Sequence, residues 1–349
     1  MKTHSGLLED IVSFDALHAA YVRARRGKRR SWACRMFERN LEGNLIQLQN
    51  ELIWGMYQVG PYRSFMVHEP KTRAITALQM FRDRVVQQAL VAVLDPLWER
   101  SFISDSYACR LGRGAHKGAN RSQAMMRDCL RRHGALYALK ADVSKYYASV
   151  EHGALKRIIR RKISDARVLA LIDGIIDSHH EPGRPGRGVP IGNLTSQLFA
   201  NVYLDQLDHY IKQQRRERWY VRYMDDFVVL HPDKQYLQAL RLDIERFLGE
   251  QLGLSLNHKT GVFPIAAQCG RGLDFLGYHL WPHKRRLRKA SLKRLKRRVR
   301  RTAKLYAAGQ LTMADVNAKL HSMIRHAHHG EAHGAVRKIL STTQFARQK

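Results

Sequence analysis

In 349 residues the chain carries 61 Lys plus Arg against 30 Asp plus Glu, a formal net charge of +31, and its hydrophobic fraction is 44%. That length and apolar content suffice for a sizeable core and for two or three compact units around one site, while the charge far exceeds what solubility needs and points to a large polyanion as partner. No run approaches the roughly 18 apolar residues of a spanning helix, and Met1-Lys2-Thr3-His4-Ser5-Gly6 lacks a signal-peptide core, so nucleic acid rather than membrane is expected. The cysteines (Cys34, Cys109, Cys129, Cys269) are scattered without CxxC spacing, which argues against a zinc site or a disulfide framework and fits a reducing cytoplasm, the expected location.

Over the first sixty residues Leu7, Leu8, Ile11 and Val12, then Leu41, Leu45, Ile46, Leu48 and Leu52, recur at helical spacing among basic residues and predict a basic helical extension. From Pro61 the pattern becomes short and strand-like at Phe65-Met66-Val67, after which Val85, Val86, Ala89, Leu90, Val93 and Leu94 mark a helix. Gly112, Gly114 and Gly118 among Arg110, Arg113, His116 and Lys117 predict a loop, either a phosphate cradle or plainly solvated, since the spacing matches neither GxxxxGKS/T nor GxGxxG. The apolar run Ala135 to Ala141 predicts a buried strand ending on Asp142. Glu181 to Gly188 is a Gly/Pro-rich loop, and Leu198, Phe199, Val202, Tyr203, Leu207, Tyr210 and Ile211 mark one face of a helix. A hairpin follows: Trp219 to Tyr223, a turn at the aspartates, then Phe227 to Leu230. The next helix, through Leu237, Leu240, Ile244, Phe247 and Leu248, stops at Gly253.

The tail changes character. Between Lys284 and Arg300 every charged residue is basic, while Leu292, Leu295 and Val299 form a narrow stripe that Ser291 would cap. Such a helix suits a phosphate backbone, with Lys293, Arg294, Arg297 and Arg298 as candidate nucleic-acid contacts; a merely solvated face is the alternative. His326, His328 and His329 read as an RNA-facing or surface helix rather than a metal site.

Asp225 and Asp226 stand side by side at the tip of the predicted hairpin. Aspartate pairs in turns usually mean solvent exposure, but Val221 before this turn and Phe227-Val228-Val229-Leu230 after it indicate buried strands, where carboxylates need a cation or a proton. Oxygen ligands that leave positions for water and phosphate oxygens suit Mg²⁺. Two ions about 3.5–4 Å apart need bridging ligands, so a third carboxylate is wanted. Asp142, at the end of its own apolar strand, is the candidate, although alone it would read as a cap or turn residue.

Here the sequence resembles a known family. Tyr223-Met224-Asp225-Asp226 resembles the YxDD motif of reverse transcriptases, and Asp142-Val143-Ser144-Lys145-Tyr146-Tyr147 resembles their first palm motif. In matching order, Lys71-Thr72-Arg73-Ala74-Ile75 resembles the fingers segment that grips the triphosphate, and Arg82 to Gln87 the next block. Leu256 to Thr260 and Phe275-Leu276-Gly277-Tyr278 resemble the motifs that close the palm and form the primer grip. The resemblance, from about Pro61 to Tyr278, implies an α+β right-hand polymerase: a basic helical extension over 1–60, fingers and an antiparallel-sheet palm over 61–280, and a basic helical thumb over 281–349.

It implies an RNA-directed DNA polymerase in which Asp142, Asp225 and Asp226 hold two Mg²⁺, replaceable by Mn²⁺, while the primer 3′-hydroxyl attacks the α-phosphorus in line. Lys71 and Arg73 would neutralise the triphosphate and Tyr147 would be the steric gate that rejects a 2′-hydroxyl. Ile191 and Gly192 would border the same dNTP. Lys259 would be the general acid for pyrophosphate, a phosphate ligand or a surface lysine.

The stretch Gly188 to Gln197 discriminates within the family. Group II intron and retroviral enzymes typically show Gln where this chain has Ile191, and Ser-Pro where it has Ser196-Gln197; the version here resembles diversity-generating retroelement enzymes, which copy carelessly opposite template adenines. Ile191, Ser196 and Gln197 are thus the candidate fidelity residues, although Ile191 can also be read as a packed core side chain. That branch implies a template RNA, a DNA primer or cDNA, dNTPs and a basic accessory protein oligomer as partners. A group II-like or phage-defence enzyme is the alternative, and a non-catalytic RNA-binding protein on the same fold a more distant one. Asn317-Ala318-Lys319-Leu320-His321 spells the retron NAxxH signature, but it follows the YxDD block instead of preceding it and reads as coincidence.

Overall fold

A computed structural model describes residues 3–68, 72–267 and 270–347, excepting the side chain of His326. Four helices lead, α1 (Leu8–Val12), α2 (Phe14–Ala24), α3 (Trp32–Glu38) and α4 (Leu41–Ile53). A hairpin of β1 (Tyr62–Val67) and β2 (Arg73–Leu78) follows, then α5 (Phe81–Glu99) and α6 (Ala115–His133). The central region runs β3 (Tyr137–Asp142), α7 (Tyr146–Ser149), α8 (His152–Arg160), α9 (Ala166–Asp177), α10 (Leu194–His209), β4 (Tyr220–Tyr223), β5 (Asp226–His231), α11 (Lys234–Leu252) and β6 (Gly261–Pro264). The chain continues through β7 (Leu273–Phe275), β8 (Tyr278–Leu280), β9 (Arg285–Leu287), α12 (Lys289–Ala307), α13 (Met313–His328) and α14 (His333–Ser341).

The central sheet is antiparallel, in the order β4-β5-β3-β6. Side chains alternate across a strand, and here both faces are covered. Leu139, Ala141, Phe227 and Val229 enter one apolar core with α5, α10 and α11, which also takes in Ile11, Leu17 and Leu45 of the leading helices. Ala138, Val228 and Leu230 enter a second core with Met125 and Met126 of α6, Phe275 and Tyr278 of the β7-β8-β9 sheet, and Leu295 and Val299 of α12. Burial on both sides explains why Phe227 to Leu230 is a continuous apolar run rather than an alternating one.

Local signals behave as expected at several ends. Asp233 caps α11 by accepting from the Gln235 and Tyr236 amides (2.7 and 3.2 Å), and Gly253 ends it in the left-handed region at φ +59°. The leading helices are tied in by Asp165, which caps α9 and also accepts from the Leu7 amide at 2.9 Å.

Three expectations need correction. First, α10 is buried nearly all round, not on one face, and runs on into a π-helical turn at Tyr210–Gln214; its polar residues are tolerated because they are paired inside, as Asn201 is with the Ala108 carbonyl at 2.9 Å. Second, Ser291 does not cap the basic helix: α12 begins at Lys289, and Ser291 lies in its first turn accepting from Arg294 Nη2 at 3.0 Å. Third, the glycine-rich loop ends at Gly114, so His116, Lys117 and Gly118 belong to α6. Arg110 is neither solvated nor available to phosphate, since its guanidinium is buried against Glu99 (2.7 and 2.8 Å) and the Ile103 and Ser106 carbonyls. Gly118 serves close packing, because a Cβ there would meet Leu276 Cδ1 at 2.8 Å.

Candidate active site

The sheet delivers the acidic residues to one edge. Asp142 is the last residue of β3 and Asp226 the first of β5, and the two are direct cross-strand partners, so their side chains share a face. Like charges so placed repel unless something compensates. Asp225 occupies the turn between β4 and β5, and its carbonyl accepts from the Val143 amide at 3.1 Å, binding the turn to the residue after Asp142. On the other side the Asp142 carbonyl accepts from the Asn257 amide at 2.7 Å.

The turn itself is strained. Tyr223 pairs with Asp226 across a two-residue loop in which Met224 has φ +57° and Asp225 does not have positive φ, the pattern of a type II′ hairpin turn. Glycine is preferred at the first loop position, and a methionine there costs about 1–3 kcal/mol. A second non-glycine residue at positive φ, Lys145 at +44°, lies three residues after Asp142 and immediately precedes α7. Its neighbour Tyr146 is fully buried and anchors that corner through a hydroxyl donated to the Ala200 carbonyl at 2.5 Å. Tyr147 is half-buried, its hydroxyl 3.7 Å from Met224 Sδ, so the expected gate residue touches the acidic turn.

Burial, and then the charge of Asp142, push the Asp225 carboxyl above its usual range, with Arg73 and Arg222 pulling it back. Asp226 is pushed up to about 6, chiefly by burial, with Asp142 and Asp225 adding to the rise and Lys140 opposing it. Lys140 Nζ lies 3.3 Å from Asp226 Oδ1, yet that oxygen is buried without an aligned hydrogen bond. Crowded carboxylates with raised affinity for protons, one oxygen of which lacks a bond, are a donor set suited to a hard divalent cation. Among the described residues no three acidic, histidine or cysteine side chains converge at metal-ligand spacing.

Other candidates fall around this edge. Arg73 begins β2 and is exposed, and its charge is felt at both Asp225 and Tyr147. Lys71 lies outside the described residues. The Ile191 carbonyl accepts from the Thr76 amide of β2 at 3.2 Å, and Gly192 at φ +119° would bring a Cβ to 3.1 Å from Ile75, so this loop packs on the fingers strand that carries Arg73. Ser196 is buried and Gln197 half-buried in the first turns of α10. Lys259 is exposed and, with Lys140, Arg286 and Lys289, lines a cavity of about 1070 Å³ between the central sheet and the C-terminal helices.

In the Phe275 to Tyr278 segment, Leu276 (φ +55°) and Gly277 (φ +89°) form the tip of a type I′ hairpin while Phe275 and Tyr278 are completely buried. Any primer contact there falls to the tip. On α12, Leu295 and Val299 are buried, Lys293, Arg297 and Arg298 exposed, and Arg294 half-buried. Lys293 and Arg297 share a groove with Lys296, Arg300 and Arg301.

Sequence reasoning missed Lys140, Arg222 and Asp208. Lys140 carried a signal in retrospect, being two residues before Asp142 and hence on the same face of β3.

A palm of antiparallel strands carrying carboxylates at one edge, with a fingers hairpin before it and basic helices after it, is the architecture of a right-hand polymerase. The model of the family "Reverse transcriptase (RNA-dependent DNA polymerase)" matches residues 68–280, more than half of the chain. The chain belongs to that family. It is similar to Protein YkfC of Escherichia coli (strain K12), 29% identical in an alignment 284 positions long that covers 70% of this chain and 73% of that protein. The group II intron-encoded protein LtrA of Lactococcus lactis subsp. cremoris is 21% identical over 338 residues, covering 77% of this chain but only 52% of LtrA, so the chain spans about half of that relative's length. An apo telomerase from Candida Tropicalis shares the fold, with a TM-score of 0.51 at 14% identity over 83% of this chain and 60% of that one. No helix among the described residues is long and apolar enough to cross a membrane.

Proposed function

We propose that this reverse transcriptase makes cDNA for a diversity-generating retroelement, copying a template RNA with reduced selectivity opposite adenine. The observation that carries the reading is the position of Ile191: its carbonyl is held by the Thr76 amide of β2, three residues from Arg73, where the loop would border the dNTP. A glutamine there would offer a polar clamp to the nucleotide, whereas isoleucine offers only dispersion contact. Ser196-Gln197 in the same segment supports the same branch.

Asp142, Asp225 and Asp226 are the groups that would hold the divalent cations, Mg²⁺ with Mn²⁺ as substitute, whose chemistry is to lower the pKa of the primer 3′-hydroxyl and neutralise the triphosphate. Arg73, with Lys71, adds positive charge at that triphosphate, and Tyr147 shapes the space under the sugar. Lys259, exposed at the cavity between the sheet and the thumb, serves phosphate binding better than proton donation. The Leu276-Gly277 tip contacts the primer, and Lys293, Arg294, Arg297 and Arg298 track the template–primer backbone. The extension (1–60), fingers and palm (61–280) and thumb (281–349) divide these tasks, and a basic accessory oligomer would act with them.

The test is primer extension on a defined RNA. The wild type should misincorporate far more often opposite adenine than opposite other bases, and Ile191→Gln should reduce that excess; an unchanged adenine spectrum would overturn the role of Ile191. The similarity to LtrA favours a second reading, a group II-like enzyme, which adenine copying as faithful as that of the other bases would support.

A further inference from the structure

We propose that Arg222 is a positioning residue for polymerisation, a buried bolt that holds the Met224-Asp225 turn to helix α10 and so sets where the carboxylates point. Its guanidinium is completely buried and divides its donors between two tasks. Nε and Nη2 form a fork on Asp208, at 2.7 Å to Oδ1 and 2.6 Å to Oδ2. Nη1 donates to the Met224 carbonyl at 3.0 Å and to Asn201 Oδ1 at 3.3 Å. Both anchors are themselves fixed: Asp208 accepts from the Tyr220 hydroxyl at 2.6 Å, and Asn201 donates to the Ala108 carbonyl at 2.9 Å. Asn201 and Asp208 lie two turns apart on α10, the helix buried nearly all round.

Two otherwise awkward features meet in this arrangement. A buried ion pair is a poor way to gain stability, since apolar residues of similar volume serve as well or better. Met224, in turn, occupies a backbone region that favours glycine. The bond from Nη1 to the Met224 carbonyl connects them. That carbonyl belongs to the peptide unit before Asp225, while the peptide unit after Asp225 is held by the Val143 amide. The two peptide units flanking the catalytic aspartate are therefore pinned from opposite sides, one by Arg222 and one by the residue next to Asp142. Lysine cannot reproduce this, because a single ammonium lacks the planar fork that grips a carboxylate while reaching a separate carbonyl.

The inference rests on the assignment of Asp225 and Asp226 to catalysis, and the two fail separately: the bolt is read from the order of the turn, the assignment from Asp225→Ala. The test uses Arg222→Lys and the double variant Arg222→Met/Asp208→Leu, which leaves no unpaired buried charge. Cooperative melting selects folded protein. Hydrogen exchange of the Val143 amide, which the Asp225 carbonyl protects, is compared with that of Leu139 inside the preceding strand β3, and steady-state extension separates kcat from KM for dNTP.

The expected result in both variants is exchange at Val143 about 10-fold faster relative to Leu139. A kcat lower by about 100-fold should accompany it, as a small misplacement of reacting groups produces, with KM changed by less than about threefold. A folded variant with kcat within about twofold of wild type, or a fall in kcat without faster Val143 exchange, overturns the proposal.

Discussion

The acidic turn of the palm and the cationic helix of the thumb handle charge in opposite ways. At the turn, carboxylates are half-buried, and their surroundings are specific: Asp226 faces Asp142 across the sheet, Lys140 stands 3.3 Å from it, and Arg222 and Val143 pin the peptides beside Asp225. Along α12 the charges are numerous and mostly exposed, and a narrow stripe, Leu295 and Val299 with Leu292 beside them, fastens the helix to the core. Buried charge acts through geometry, whereas exposed charge acts through its sum and is screened by salt. The first arrangement suits chemistry, the second a polymer that must slide.

That contrast breaks most visibly under single substitutions. Asp142→Ala should lower single-turnover cDNA synthesis by about a thousandfold or more while template binding, measured by filter retention, stays within about twofold. On α12 the effect should be collective: replacing Lys293, Arg294, Arg297 and Arg298 together by Gln should weaken template–primer binding and flatten the slope of log K against log salt by about 2–4, while any one replacement changes that slope by about 1 or less. A single α12 substitution that abolished activity at low salt would collapse the distinction.

A smaller effect concerns stability. The Asp226 carboxyl has its folded pKa raised from 3.8 to about 6. The stability this contributes is therefore fully present below about 3.8 and lost as pH rises through about 6. Urea melts with chelator present should show the protein about 1–3 kcal/mol less stable near neutrality than near pH 4 on this account. Asp226→Asn should flatten the trend, and divalent cation added near neutrality should reverse it.

How much was legible in the sequence follows the same division. The strands around Asp142 and Asp226 were readable because continuous apolar runs with turn residues between them are local signals, and the basic stripe of α12 because charge and periodicity are local too. What could not be read depends on partners 11 and 14 residues away in the chain, which no local periodicity marks. Arg110 reads as a loop cation and is consumed by Glu99; Arg222 reads as one basic residue among 61 and is paired with Asp208 at the end of the preceding helix α10. Ser291 had the right chemistry for a cap, but the helix starts at Lys289, before it. Charge in a sequence has a sign and a spacing, but whether it is spent inside or offered outside is decided by tertiary packing.

Whether the acidic turn performs RNA-templated DNA synthesis on a surface that other residues provide is decided by one paired measurement. Primer extension on a defined RNA with Mg²⁺ is run with the wild type and with Asp225→Ala/Asp226→Ala, each checked for template–primer binding. cDNA is expected from the wild type alone, with both proteins binding. Product from the double variant, or none from a wild type that binds its template, primer and dNTPs, would contradict it.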